Sequence, residues 1–296
     1  MSHPKKFPLQ SNFRLIFRIF ALLASFICIE YFYATVIDPK AQEASIKEAI
    51  LAEDDPEASG QTRRSYAVIL KDTEQQICMS LLLWALLLLL EKYLFLRGEK
   101  KCLKHSFINL ARGERIIPNN ALSYYRDIRK QVETKSFLRN KLLPQFLMNG
   151  LHRFHSTHSI SAVSESIQQD SELSSEQMDS DLSLIRYIGW AIPSIGFIGT
   201  VRGIGEALAQ AEQAIEGDIS GVTNSLGLAF NSTLVALLFS IFLTFFVYML
   251  QSSQDNLILR MGRYCQERLM NAMKIPVVGD SPSSTAEGEP MTPSLS

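Results

Sequence analysis

The sequence has few features that ordinarily mark an enzyme or a nucleic-acid reader. Its four cysteines, Cys28, Cys78, Cys102 and Cys265, are scattered without a CxxC pair or any ligand spacing, so neither a disulfide framework nor a thiolate metal site is expected. Cys28 and Cys78 fall inside apolar runs, where cysteine behaves as a small hydrophobe. There is no GxxxxGK[ST] phosphate loop. Gly203-Ile-Gly205 is no dinucleotide fingerprint either, because position 208 is Leu and no strand pattern precedes it. No local cluster supplies a Ser-His-Asp set or paired carboxylates, so no catalytic residue is assigned and an enzyme is not expected. Charge of one sign is missing too: 29 Lys plus Arg stand against 30 Asp plus Glu. Without a basic patch interleaved with stacking aromatics, nucleic acid is not an expected partner. No internal repeat is visible.

What is present is long apolar runs. Ile19 to Ile37 is broken only by Glu30, and Lys5, Lys6, Arg14 and Arg18 precede it. A signal peptide has the same charge order but a shorter apolar region ending in a small-residue cleavage site, so the run reads as an uncleaved span. Ile77 to Leu96 has the ~20 residues needed to cross the hydrocarbon. The third run extends from Tyr187 to about Ala209 and the fourth from about Val222 to Leu250.

Charge between the runs sets an expected orientation. Residues 38–76 carry five basic and nine acidic residues, whereas 97–155 carry thirteen basic and four acidic. A Lys/Arg excess near membrane ends stays inside, which places the N-terminus, the segment 97–185 and the C-terminus in the cytoplasm. The expected fold is all-α and polytopic: four transmembrane helices, with a helical cytoplasmic region between helices 2 and 3. By composition the chain divides into 1–96 (two spans and the outward loop 38–76), 97–185, a hairpin plus cytoplasmic helix at 186–275, and a Pro/Ser/Gly-rich tail at 276–296 expected to be disordered.

The third run contains PSIGFIGTVRGIG (193–205), in which five of thirteen positions are Gly or Pro. Gly196, Gly199, Gly203 and Ala207 put small residues on one helix face. In lipid, close backbone contact through such faces replaces hydrophobic drive. Span four carries a matching stripe of Ser225, Ala229, Ser232, Thr233, Ala236, Ser240 and Thr244. Read as an antiparallel hairpin turning at 212–221, the pair places Thr200 and Thr233 at one height. Each is about 16 residues from the turn's centre, or ~25 Å, which puts both hydroxyls roughly mid-membrane. A lone Thr in a span can return its hydroxyl to its own helix. Two at equal depth among small residues point instead to a shared polar ring.

Ala191 to Ile204 (AIPSIGFIGTVRGI) resembles the penultimate-span signature of the MotA/TolQ/ExbB proton-channel family, roughly A-P-x-x-G-L-L-G-T-V-x-G. Leu226 to Ile241 (LGLAFNSTLVALLFSI) resembles its second, small-residue signature, and the likeness runs from Leu184 to about Arg263. The resemblance implies a homopentameric ring in the membrane around a single-span ExbD/TolR/MotB-like partner whose Asp takes and releases the ion. Ion flow would drive rotation coupled to flagellar torque, outer-membrane import or other envelope work. It implies no cofactor beyond the translocated proton or sodium ion, makes Thr200 and Thr233 the lining threonines, and makes Pro193 a flexing point. Gly196, Gly199, Gly203, Ala229, Ser232 and Ala236 are the expected packing positions. This chain departs from the pattern with four spans, as in the MotA branch, with Arg202 where Trp is common, and with Leu228 where some members carry Glu. The subfamily stays open.

Three further features have competing readings. Arg202 is about 200° around the helix from Thr200, so with Glu206 one turn on it forms an outer ion pair, or it gates or contacts a partner, or it meets lipid headgroups. Glu30 is a relay carboxylate or a satisfied, snorkelling one. His152, His155 and His158 spread over about 120° of a helix, poor geometry for one tetrahedral ion, so a solvated basic helix is expected and no metal. The alternative to the energiser is a non-conducting scaffold or receptor assembled through the small-residue faces. A secondary transporter would need repeat symmetry and a midplane substrate charge, and neither is visible.

Overall fold

A computed structural model describes residues 8–40, 42–43, 46, 72–108, 114–215, 217 and 219–275. The tail from Pro276 and most of the loop 38–76 lie outside these residues. The architecture is all-α as expected, and four helices are long and apolar enough to cross a membrane. No β-strand forms among the described residues; one isolated bridge pairs Ile116 with Met273.

The chain forms two compact units, one of Met1–Lys101 with Ser171–Arg260 and one of Cys102–Asp170 with the segment from Met261. In the first unit, α1 (Pro8–Phe32) passes into a π-helical turn at Tyr33–Ile37. Ile29, Tyr33 and Ile37 on successive turns bury against Met79 and Leu83 of α2 (Thr73–Cys102). The start of α2 is written in its polar residues. Asp72 precedes the first turn, and Gln75 Oε1 accepts the Asp72 N–H at 3.3 Å, the backward half of a capping box. Glu74 in the first turn and Lys100 and Lys101 in the last complement the helix dipole.

In the second unit, α3 (Ala121–Thr134) is joined by a 3-10 turn at Ser136–Leu138 to α4 (Leu142–Thr157). Leu143, Phe146, Leu147, Gly150, Leu151 and Phe154 recur at steps of three and four and are buried. Gly150 admits Leu269, Val163 and Ile167. His158 ends α4 in the left-handed region at φ 52°, its N–H returning to the Phe154 carbonyl. Ile116 N–H and Lys274 N–H bond Ala272 and Ile116 carbonyls across the chain ends of this unit.

The two longest helices, α5 (Ile160–Ala209) and α7 (Ser220–Arg268), contribute residues to both units. Residue 185, a compositional boundary, lies inside uninterrupted α5. The short α6 (Ala211–Ile215) and Gly217, whose φ of 104° suits only glycine, connect α5 to α7.

Candidate functional site

The α5–α7 hairpin closes along its small residues. A Cβ added to Gly196 would overlap the Cβ of Ala236, and one on Gly203 would stand 2.7 Å from the Cβ of Ala229. A Cβ on Gly199 would meet the Ser232 side chain at 3.0 Å. These glycines and the small residues facing them therefore set how near the two backbones approach. Gly205, by contrast, has nothing within 4 Å. Bulky residues such as Phe197, Ile198, Phe230, Leu234 and Ile241 are exposed on the outside of the hairpin.

Pro193 lies inside α5, and the helix continues through it. Proline has no N–H for the carbonyl one turn back, which leaves the Gly189 carbonyl without its helical donor. Ser240 of α7 donates to that oxygen at 2.8 Å.

Two turns further along α5 the expected threonines meet. Thr233 Oγ1 donates to the Gly196 carbonyl at 2.9 Å, and Thr200 Oγ1 lies 3.1 Å from the Ala229 carbonyl and 3.4 Å from that of Gly196. The two hydroxyls also touch each other. Each hydroxyl has one proton and two acceptor lone pairs. Their two protons serve the carbonyls and the mutual contact, and of their four lone pairs the mutual contact uses at most one, so oxygen lone pairs stay available to a water proton or a small cation. Both side chains are partly buried.

The head of α2 starts beside the pair. Gln75 Nε2 donates to Ser232 Oγ at 3.4 Å, Ser232 Oγ donates to Asp72 Oδ2 at 3.5 Å, and Arg202 pairs with Glu74 at 3.1 Å as well as with Glu206 at 3.5 Å. Toward the other end of α2, buried Lys92 pairs with Asp181 at 2.7 Å, and Arg18 lies 3.8 Å from the same carboxylate. From Glu74 to Lys92 is about 27 Å along the helix, close to the ~30 Å hydrocarbon thickness. Two ionic clusters thus flank the apolar stretch of α2. The threonine pair, two residues from Arg202, lies near the level of the first of them.

Other expected residues fall as follows. Glu30 accepts from Gln76 Nε2, which ties α1 to α2 and makes it a partnered carboxylate. His155 Nδ1 donates to the Pro118 carbonyl at 2.9 Å, and the His152 ring meets that of Tyr125 edge-on. Among the described residues no group of His, Cys, Asp or Glu could hold a metal ion. Asp72, Glu74 and Gln75 were not singled out by the sequence reading. They lie far from Ser232 and Arg202 in the chain, and the only signal was a polar DTEQQ at the head of an apolar run.

Four membrane-length helices, the last two closed on small residues around a hydroxyl pair, define a multi-pass helical membrane protein. The model of the MotA/TolQ/ExbB proton channel family matches residues 138–263, so the chain carries a domain of that family. No curated protein and no solved structure matches the chain.

Proposed function

We propose that the chain is a ring-forming subunit, in five copies, of a proton-driven or sodium-driven rotary energiser of a bacterial inner membrane. It works with a single-span ExbD/TolR/MotB-like partner whose Asp titrates, and couples ion flow to work in the envelope or on a neighbouring machine. Its termini and the basic segment 97–155 face the cytoplasm, following the Lys/Arg excess. The contact between Thr200 and Thr233 supports this reading, because it gathers two hydroxyl oxygens inside the family-matched hairpin. Such oxygens can hand on a proton through water or bind Na⁺ alike.

The test is ion flux through vesicles reconstituted with this chain and the single-span protein encoded beside it. Thr200→Ala and Thr233→Ala should each lower flux about tenfold, the worth of a hydrogen bond to a charged species, ~1.5 kcal/mol. Thr200→Ser and Thr233→Ser should keep most of it. Equal flux in all variants ends the lining role.

A second reading, a non-conducting scaffold, is favoured by one observation: both hydroxyls already bond carbonyls inside the hairpin. It predicts no flux above empty vesicles and no titrating partner that copurifies.

A further inference from the structure

Several hydroxyls in the spans serve their own helix. Ser25 bonds the Leu22 carbonyl, Thr35 that of Tyr31, Ser80 that of Gln76 and Ser194 that of Trp190, each three or four residues back. This is the default for a serine or threonine surrounded by apolar side chains. Ser240 departs from it. Its hydroxyl crosses from α7 to α5 and bonds the Gly189 carbonyl, the acceptor that Pro193 deprives of a donor. A carbonyl left bare among apolar helices is strongly disfavoured. The proline and the serine therefore answer one another across the hairpin.

We propose that Ser240 is a positioning residue. By supplying the donor that Pro193 lacks, it latches α5 to α7 at the hinge. It thereby holds the register of the Gly196–Ala236 contact and the Thr200–Thr233 pair farther along. Release of this one bond frees α5 to bend at Pro193, and re-forming it straightens the hairpin. The consequence for ion passage rests on the energiser reading above; the bond itself does not.

The sequence offers a direct probe of that bond. Of the two tryptophans, Trp84 follows Leu83 and Trp190 follows Gly189. Labelling the full chain with carbonyl-¹³C glycine and ¹⁵N tryptophan thus yields one glycine-carbonyl to tryptophan-nitrogen correlation in a solid-state NMR spectrum, and it belongs to Gly189. Losing a hydrogen bond moves a carbonyl carbon upfield. Ser240→Ala should shift the peak upfield, and Ser240→Thr, which keeps the hydroxyl, should restore it. In a Pro193→Ala background the new amide at 193 satisfies the carbonyl, so Ser240→Ala should leave the peak where it is.

A peak unmoved by Ser240→Ala, or moved equally in both backgrounds, overturns the proposal. Ser240→Ala protein that folds only when Pro193→Ala is also present reports the same coupling and supports it. Failure to fold in both backgrounds overturns it. Flux measured on the same samples separates the two readings. A coupled peak without any flux keeps the latch and removes the ion path, whereas flux with an uncoupled peak does the reverse.

Discussion

The Arg202 guanidinium lies 3.1 Å from the Glu74 carboxylate, fastening the first turn of α2 to α5. The two partners differ in exposure. The Glu74 side chain is 11% exposed and that of Arg202 is 47%, and Arg202 keeps Glu206 as a second acceptor. Removing the buried member and removing the half-exposed one should therefore not cost the same. Arg202→Met strands a buried carboxylate and should destabilise by about 1–3 kcal/mol, the buried-pair cost discounted for the solvent at Arg202. Glu74→Gln leaves the guanidinium with Glu206 and water and should cost clearly less, and the double variant should recover part of the loss. Equilibrium unfolding in mixed micelles reads all three. If Glu74→Gln proves the costlier single change, the pair does not work as described.

The seam makes a second prediction, with its own control. Gly203 and Gly205 are two residues apart in one helix, yet a Cβ on Gly203 would press on Ala229 and on the Ser225 carbonyl, and one on Gly205 would meet nothing. The Ser225 carbonyl is backbone and cannot rotate aside. Gly203→Ala should therefore cost about 1–3 kcal/mol through overpacking. Gly205→Ala should be neutral or stabilise by up to about 1 kcal/mol through helix propensity. Unfolding of the two variants side by side decides it; equal effects would mean the seam tolerates separation.

The sequence and the structure agree most closely where local periodicity carries the information. Small residues at helical steps in 196–207 and 225–244 indicated which faces meet, and counting outward from the turn indicated that Thr200 and Thr233 share a height. The count used only the hairpin, and so said nothing of what else lies at that height. Asp72, Glu74 and Gln75 reach Ser232 and Arg202 from a distant part of the chain. The same holds for Ser240. A serine in a small-residue stripe reads as packing, and only the facing helix shows that its hydroxyl replaces the donor missing at Pro193. Charge partners such as Lys92 and Asp181 were likewise invisible, since nothing local says that a lysine at the end of a leucine run is buried.

The histidine triplet gives the last prediction. His158 occupies the left-handed region at φ 52° as the cap of α4, a conformation that glycine adopts freely and a β-branched residue resists. The bond that closes the helix is made by its backbone N–H to Phe154, so the side chain is dispensable. His158→Gly should therefore stabilise the protein by about 0.5–1 kcal/mol, and His158→Val should destabilise it by about 1–2 kcal/mol. His155→Ala should destabilise as well, through the lost bond to the Pro118 carbonyl. A metal site would reverse the first of these results, since a ligand changed to glycine weakens binding. Thermal unfolding of the full chain with added zinc, and again after chelation, makes the distinction. Identical midpoints in both conditions, together with a gain for His158→Gly, assign the triplet to the backbone and packing of α4.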